Sequence, residues 1–384
     1  MEQNGGKKKN ASDALSKLDI NKDFLNDFDY YEKVQYNWKL FYSNKKRNVF
    51  KGINKDDQKE EIYVKKIEIL PKDYQEILKE LYFLVLLYGK DYFVQINGIL
   101  FSKDKKCIYF IFKGNQKANL RNIIKCNNNV YLKNRELIRW IIFQISCALY
   151  CFHSNNFVHN DIKPENIVID NRGTIEICDF GTATLKGKGN IKEYTQSYSS
   201  PEFLLKKETD EKSDMWSFGL IIAELLLLNK DKDCYLNPEN ILNIKDNKND
   251  KDKKIKDEEF LKFIFSKCGI DIKSNDDFQK LINEEKKIIF TDEEKQKIND
   301  QNMLDLLDNL LVLDSKKRYS AEKILTLDYL KEYKEYYTDN LKDIRLDLEE
   351  LENPFDNDYA TNMDAKTFEI KCKNLIRIFK NKNG

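Results

Sequence analysis

The sequence predicts an α+β protein with a strand-rich first part and a helical second part. Up to about residue 115 the apolar residues fall in short β-branched and aromatic runs between polar turns, broken by one helical stretch. Beyond Leu120 the apolar spacing becomes that of helices. Of the 384 residues, 41% are hydrophobic, enough for a sizeable core in one large or two smaller units, while 34% are charged. The longest apolar stretch, Phe218 to Leu228, is interrupted by Glu224. It is far shorter than the roughly 20 residues of a membrane span, so no membrane segment is expected.

Residues 1–29 read as a polar N-terminal tail without the apolar core of a secretory signal, and Glu2 stands where myristoylation needs Gly. The expected location is therefore intracellular, cytoplasmic and/or nuclear. Strands are expected in Asn48–Gly52 and Ile62–Ile69. Pro71 opens a helix with Ile77, Leu81, Leu84 and Tyr88 on one face. Two further strands follow near Phe93–Leu100 and Cys107–Phe112. In the second part, Leu137, Ile141, Ile145, Leu149 and Phe152 form a helical stripe, and Asp214–Leu228 reads as a buried helix. From 229 to 259 the composition collapses into Asn, Lys and Asp, which predicts a flexible surface insert. Helical signals return at Phe260–Cys268 and Met303–Leu313. The end of the chain carries a basic amphipathic segment with Phe368, Cys372, Leu375, Ile376 and Phe379 on one face.

Sixty-six Lys plus Arg against 65 Asp plus Glu leave no global field for nucleic acid or an anionic bilayer, and neither partner is expected. Eight scattered cysteines without zinc spacing read as reduced thiols in apolar surroundings.

The chemistry concentrates in Val158-His-Asn-Asp-Ile-Lys-Pro-Glu-Asn-Ile-Val-Ile169 and in Cys178-Asp-Phe-Gly181. Two strand-like ends there bring carboxylates and an amide close together in sequence. Hard oxygen donors of this kind suit Mg2+ and phosphoryl transfer, which needs positioning and charge neutralisation more than covalent chemistry. These two runs resemble the catalytic and metal-binding loops of the eukaryotic protein kinases. Ser200-Pro-Glu202, Asp214-Met-Trp-Ser-Phe-Gly219 and Arg318 match later marks of that family in order and spacing.

The resemblance implies a two-lobed protein kinase fold over residues 30–331, with a small β-rich lobe at about 30–114, a larger helical lobe at about 115–331 and ATP bound with Mg2+. Residues 332–384 would form a C-terminal extension. It assigns Asp161 to accepting the substrate hydroxyl proton, Lys163 to the γ-phosphate, Asn166 and Asp179 to the metal ions, and Thr195 to steadying Asp161 and Lys163. Lys163, two residues after Asp161, is similar to the serine/threonine type, which implies protein substrates with Ser or Thr acceptors. Lys65 would reach the α and β phosphates and pair with Glu80, with Lys66 as the alternative register. Val49, Phe112, Lys113 and Asn115 complete the expected nucleotide site, Phe112 as gatekeeper. Glu202 and Arg318 are expected to pair as a buried link, His159 to pack in the core, and His153 to end a helix.

Three departures matter. The positions of the family's phosphate-loop glycines hold Tyr42, Asn44 and Arg47, and Tyr63 occupies a small-residue position above the adenine. A pseudokinase scaffold is therefore the alternative; a small-molecule kinase of similar fold fits the Ser-Pro-Glu segment poorly. Asn160 replaces the Arg that holds a phosphorylated activation loop, so activity without that phosphorylation is expected. Asp305–Arg318 and Phe260–Gly269 are similar to the cyclin-dependent and MAP kinase group, although Ser199 replaces an Arg typical there. The extension, acidic at Leu346–Leu351 and basic at Lys371–Lys382, is read either as an arm for a regulatory or docking partner or as a helix packed on the larger lobe.

Overall fold

A computed structural model describes residues 38–44, 48–54, 61–227, 234–237, 256–335, 346 and 363–383, apart from 103, 115–117, 127–133, 189–190, 192–193, 207–209, 273, 275 and 334. The tail 1–29, the basic loop 45–47, Asn115, most of the 229–259 insert and the acidic run after Leu346 lie outside the described residues.

The chain divides into two compact units, one of residues 1–78, 95–116 and 361–384, the other of 79–94 and 117–360. The end of the chain, with helix α11 (Ala365–Asn383), belongs to the first unit.

In the first unit, β1 (Trp38–Asn44), β2 (Val49–Asn54), β3 (Glu61–Glu68), β4 (Ile96–Phe101) and β5 (Cys107–Gly114) form one antiparallel sheet in the order β1-β2-β3-β5-β4. Alternation along β2, β3 and β5 puts Phe50, Ile62, Val64, Tyr109 and Ile111 on one face, where they cluster with Leu100. The fourth strand starts later than expected because Phe93 instead bridges Ile177 in the second unit's own residues.

Pro71 opens a short 3₁₀ turn, Pro71–Asp73, which runs into α1 (Tyr74–Leu86). Ile77, Leu81 and Leu84 are buried as predicted. Tyr88 lies beyond the helix, which ends at Leu86; the turn that follows reaches Gly89 at φ 78°, a conformation that costs glycine little.

The second unit is mostly helical. After the two-residue strand β6 (Ala118–Asn119) come α2 (Leu120–Lys125) and α3 (Arg135–Ser154), each capped by an Asn side chain. The α3 helix has the length and hydropathy of a membrane span, yet 67% of that stretch is buried within the protein. Short strands β7 (Phe157–Val158), β8 (Ile167–Ile169), β9 (Ile175–Ile177) and β10 (Thr184–Leu185) frame the loops between them. Then follow α4 (Pro201–Lys206), α5 (Glu211–Leu227), α6 (Asp257–Lys267), α7 (Asp276–Leu281), α8 (Asp292–Ile298), α9 (Gln301–Leu310) and α10 (Ala321–Leu325). Two parts of the predicted 229–259 insert lie among the described residues. Cys234 and Leu236 are buried, and α6 already begins at Asp257, because Asp257, Glu258 and Glu259 suit a helix N-terminus.

All of Ser213–Leu226 is buried, which makes α5 the central helix of this unit. Gly219 lets α9 approach it: a Cβ there would lie 2.8 Å from Leu311 Cδ2 and 2.9 Å from Leu310 Cβ. Gly219→Ala is expected to cost about 1–3 kcal/mol through overpacking. Thermal unfolding checks this, and an unchanged midpoint would show that α9 yields freely.

Candidate active site

The loop after β7 is shaped by one buried carboxylate. Asp214, in the first turn of α5 and 1% exposed, accepts from the backbone N–H of His159 (2.8 Å) and Asn160 (2.8 Å), and its Oδ2 lies 2.9 Å from His153 Nε2. Three partners offset its burial and hold the loop in place. Asn160 adopts the left-handed conformation (φ 66°), which Asn tolerates better than most residues. Its amide donates to Val158 O (3.2 Å), Thr182 O (3.0 Å) and Thr184 Oγ1 (2.9 Å). The loop is thereby sewn to the residues following Asp179.

Within this frame four predicted residues come together. Lys163 Nζ lies 2.6 Å from Asp161 Oδ2 and 2.7 Å from Thr195 Oγ1, and the Thr195 hydroxyl donates to Asp161 Oδ1 at 2.8 Å. The Asn166 amide donates to both Asp161 O and Asp161 Oδ2, each at 2.9 Å. Pro164 starts the single 3₁₀ turn that returns Asn166 toward Asp161. The Cys178 N–H donates to Asn166 O at 2.9 Å, which ties this turn to Asp179. Asp161 and Lys163 are each 12% exposed in their side chains, so the pair is shielded from water but reachable.

Asp179 sits at φ 69°, an uncommon conformation for a residue with a side chain. Phe180 after it is fully buried, with ring centroids 5.5 Å from His159, 5.8 Å from Phe83 and 6.0 Å from Phe152. Burial pushes the His159 imidazole below its ordinary 6.5, against the pull of Asp214, Asp161 and Asp179. The folded protein therefore keeps it neutral while the unfolded chain takes up a proton below about pH 6.5, so stability falls as pH drops through that value. His159→Phe is expected to flatten the decline in melting temperature between about pH 7 and 5.5; an unchanged slope would assign the decline to other groups.

The segment after Thr195 is anchored from below. Arg318, 1% exposed, forks onto Glu202 at 2.7 and 3.2 Å, donates to Val312 O at 3.0 Å, and lies 5.2 Å from the Trp216 ring. Burial alone would raise the Glu202 carboxyl, but the Arg318 guanidinium holds it below the usual range.

A second buried cluster escaped the sequence reading. Arg121 of α2 donates to Glu165 Oε1 (2.9 Å), Glu224 Oε2 (2.9 Å) and the Tyr198 hydroxyl, while that hydroxyl donates to Glu224 Oε1 at 2.8 Å. It ties Glu165, beside Asn166, to Tyr198, three residues after Thr195. The only signal was Glu224 inside an apolar run; its partners lie far away in sequence.

In the first unit, register separates the two candidate lysines. Lys65 pairs with Val49 and Phe110, and Tyr63 pairs with Phe112, so Val49, Tyr63, Lys65 and Phe112 share one sheet face. Lys66 projects to the other face, its Nζ 5.7 Å from the Tyr109 ring. Lys113, expected with the nucleotide residues, also falls on that other face opposite Ile62 and is exposed; strand alternation separates it from Phe112. Glu80 is on α1 and buried. Tyr42 and Asn44 end β1, and Asn48 at φ 49° leads into Val49.

Among the described residues no cluster of three His, Cys, Asp or Glu could hold a metal alone. Asp179 and Asn166 carry oxygens of the kind that Mg2+ takes, one or two from a protein with phosphate and water completing its shell. With its N–H groups turned to Asp161, Asn166 presents its carbonyl oxygen on the other side of the amide. All eight cysteines are free thiols, five of them buried.

The chain is 36% identical over 137 residues to the serine/threonine-protein kinase PKH2 of Candida albicans, a stretch that covers 32% of this chain and 14% of that protein. It is 32% identical to mitogen-activated protein kinase 15 of Xenopus laevis over 40% of this chain and 28% of that one. A probable serine/threonine-protein kinase of Dictyostelium discoideum is 27% identical over 82% of this chain and 52% of its own. The chain thus spans at most about half the length of these relatives. The crystal structure of the yeast RNA Pol II CTD kinase CTDK-1 complex contains a chain of the same fold, at TM-score 0.60 and 22% identity, covering 78% of this chain and 95% of that one. The protein kinase domain model matches residues 45–330, through the loops around Asp161 and Asp179 to beyond Arg318, and by that match the chain belongs to the protein kinase family.

Proposed function

We propose that this protein is a serine/threonine kinase that transfers the γ-phosphoryl group of ATP to Ser or Thr hydroxyls of protein substrates. The observation that carries the reading is the closed set of hydrogen bonds among Asp161, Lys163 and Thr195. Asp161 has one carboxylate oxygen against a cation and the other against a hydroxyl, so its position is set for taking the proton of an incoming alcohol. Lys163 stands beside it, where a γ-phosphate would need charge neutralisation. Asn166 and Asp179 would hold Mg2+, which supplies electrostatic stabilisation to the transferring group. Lys65, on the face shared with Val49 and Phe112, would bind the α and β phosphates and pair with Glu80.

The alternative, a pseudokinase scaffold, rests on the phosphate loop without glycines and on Tyr63 in the row of Lys65. One experiment separates the two. The protein is incubated with ATP and Mg2+ on a basic protein substrate, phosphoamino acids are identified, and ATP is titrated by thermal shift. Phosphoserine or phosphothreonine that disappears in Lys65→Met supports the kinase; no transfer and no shift support the scaffold.

Asn160 uses its amide on Val158, Thr182 and Thr184, so it holds these loops together without a phosphate. The rate is expected to survive phosphatase treatment. A large loss would show that a phosphorylated activation segment is required. Free thiols fit a reducing compartment, cytoplasmic and/or nuclear.

A further inference from the structure

The helix α6 opens with three acids that the fold uses differently. Glu258 meets Lys262, one turn on, at 3.4 Å with both side chains exposed, and Glu259 is exposed as well. Asp257 is half-buried and turns to the segment around Thr195. Its Oδ1 accepts from Gln196 Nε2 at 2.7 Å, and its Oδ2 accepts from the Tyr194 hydroxyl.

Both sides of this contact are held from elsewhere. Phe260, Leu261, Ile264 and Phe265 bury the inner face of α6, so Asp257 stands at the end of a packed helix. A carboxylate suits that place, because the N–H groups of a helix's first turn favour negative charge. On the other side, the Tyr194 ring meets Phe203 of α4 edge-on, with centroids 5.0 Å apart and planes at 78°, and Phe203 is itself buried.

The backbone between Tyr194 and Gln196 gives the contact its consequence. Thr195 is extended (φ −95°, ψ 98°), and in extended backbone neighbouring side chains point to opposite sides. Tyr194 and Gln196 reach Asp257 on one side, while the Thr195 hydroxyl between them reaches Lys163 Nζ (2.7 Å) and Asp161 Oδ1 (2.8 Å) on the other. The Thr195 carbonyl accepts from Tyr198 N–H at 3.0 Å and from Ser199 Oγ at 3.1 Å, which fixes the turn that follows. The bonds to Asp257 fix the rotation of the chain about Thr195, and so the direction of its hydroxyl. The geometry points to Asp257 as a positioning residue of the phosphoryl-transfer site: by holding the side chains before and after Thr195 it keeps that hydroxyl between Asp161 and Lys163. The effect on rate rests on the kinase reading above; the hold on the segment does not.

The test compares wild type with Asp257→Ala, Tyr194→Phe, Thr195→Val and the double variant of Thr195→Val with Asp257→Ala, and takes Glu258→Gln as the control from the same helix turn. The quantities read are kcat, KM for ATP, and amide hydrogen exchange in residues 195–199. Asp257→Ala is expected to lower kcat by about ten- to a hundredfold, the range for a small misplacement made away from the chemistry, with KM for ATP within about twofold. Tyr194→Phe, which removes one of the two bonds, should lose less. Exchange should speed up in both, and Glu258→Gln should leave rate and exchange as in wild type. In the Thr195→Val background Asp257→Ala should cost less than about twofold more, because a residue that acts through Thr195 has nothing left to position once the hydroxyl is gone. The full additional loss there, an equal loss in Glu258→Gln, or wild-type rate and exchange in Asp257→Ala would each overturn the proposal.

If wild type transfers no phosphate, the kinase reading fails, and exchange still decides the hold: faster exchange in Asp257→Ala supports it, and wild-type exchange overturns it. Should Asp257→Ala not fold, Tyr194→Phe combined with Gln196→Ala removes both bonds from the other side. The same losses are expected there, and wild-type rate and exchange would again count against Asp257.

Discussion

Asp161→Asn is expected to lower kcat by about 10²–10⁴-fold while leaving the thermal shift caused by ATP within about twofold of wild type. The side chain keeps its size, but one acceptor oxygen becomes an NH2 group. In the folded protein that end of Asp161 faces donors on every side: Lys163 Nζ, Thr195 Oγ1 and the Asn166 amide. An amide cannot accept from all of them, nor can it take a proton from a substrate hydroxyl. ATP affinity is expected to survive because the proposed nucleotide contacts come from Lys65, Val49 and Phe112. Single-turnover transfer beside the thermal-shift titration separates the effects. A kcat within about fivefold of wild type would remove Asp161 from the role of base, and the scaffold alternative would then lead.

The second large effect is on stability. Arg318→Ala leaves the Glu202 carboxylate buried without its cation and orphans the carbonyls of Val312 and Lys212. Breaking a buried pair in this way costs about 3–5 kcal/mol, on the order of a 10 °C fall in melting temperature for a unit of this size. Its pH dependence has a definite sign. Arg318 holds the folded Glu202 carboxyl below its ordinary 4.5, so the stabilisation is complete above that value and is lost as pH falls through the lower folded value. The gap between wild type and variant should begin to narrow above 4.5, where burial without its cation leads the variant's Glu202 to take up a proton, and should narrow further as pH falls through the lower folded value of wild type. Replacing both residues by apolar ones of similar size should recover part of the loss. A gap of less than about 1 kcal/mol would mean that the site relaxes around the missing guanidinium.

The loops proposed for catalysis and metal binding were legible because their residues are contiguous. Asp161, Lys163 and Asn166 lie within six positions, and Asp179 follows soon after, so the chemistry of hard oxygens and one cation can be read from the chain itself. Helices with long apolar stripes, such as α3 and α5, were legible for a related reason: periodicity is a local property that burial merely enforces. The Lys65 face was harder. Lys65 and Lys66 are chemically equal in sequence, and the pairing of β3 with β5 placed them on opposite sides of the sheet.

Other features were invisible because they join residues far apart. The contact between Arg121 and Glu224 spans 103 positions, and nothing in α2 marks Arg121 as a buried cation. Likewise α11 announced itself only as amphipathic, a pattern that specifies a face to be covered without saying what covers it. The sequence by itself determined the α+β class, most helices, and the residues proposed for catalysis and metal binding. Only the tertiary structure decided which lysine shares the face of Val49 and Phe112, which carboxylates Arg121 neutralises, and that the Phe368 ring of the last helix stacks on Tyr74. Those outcomes depend on register and on the pairing of distant surfaces, which the packing of the whole chain settles.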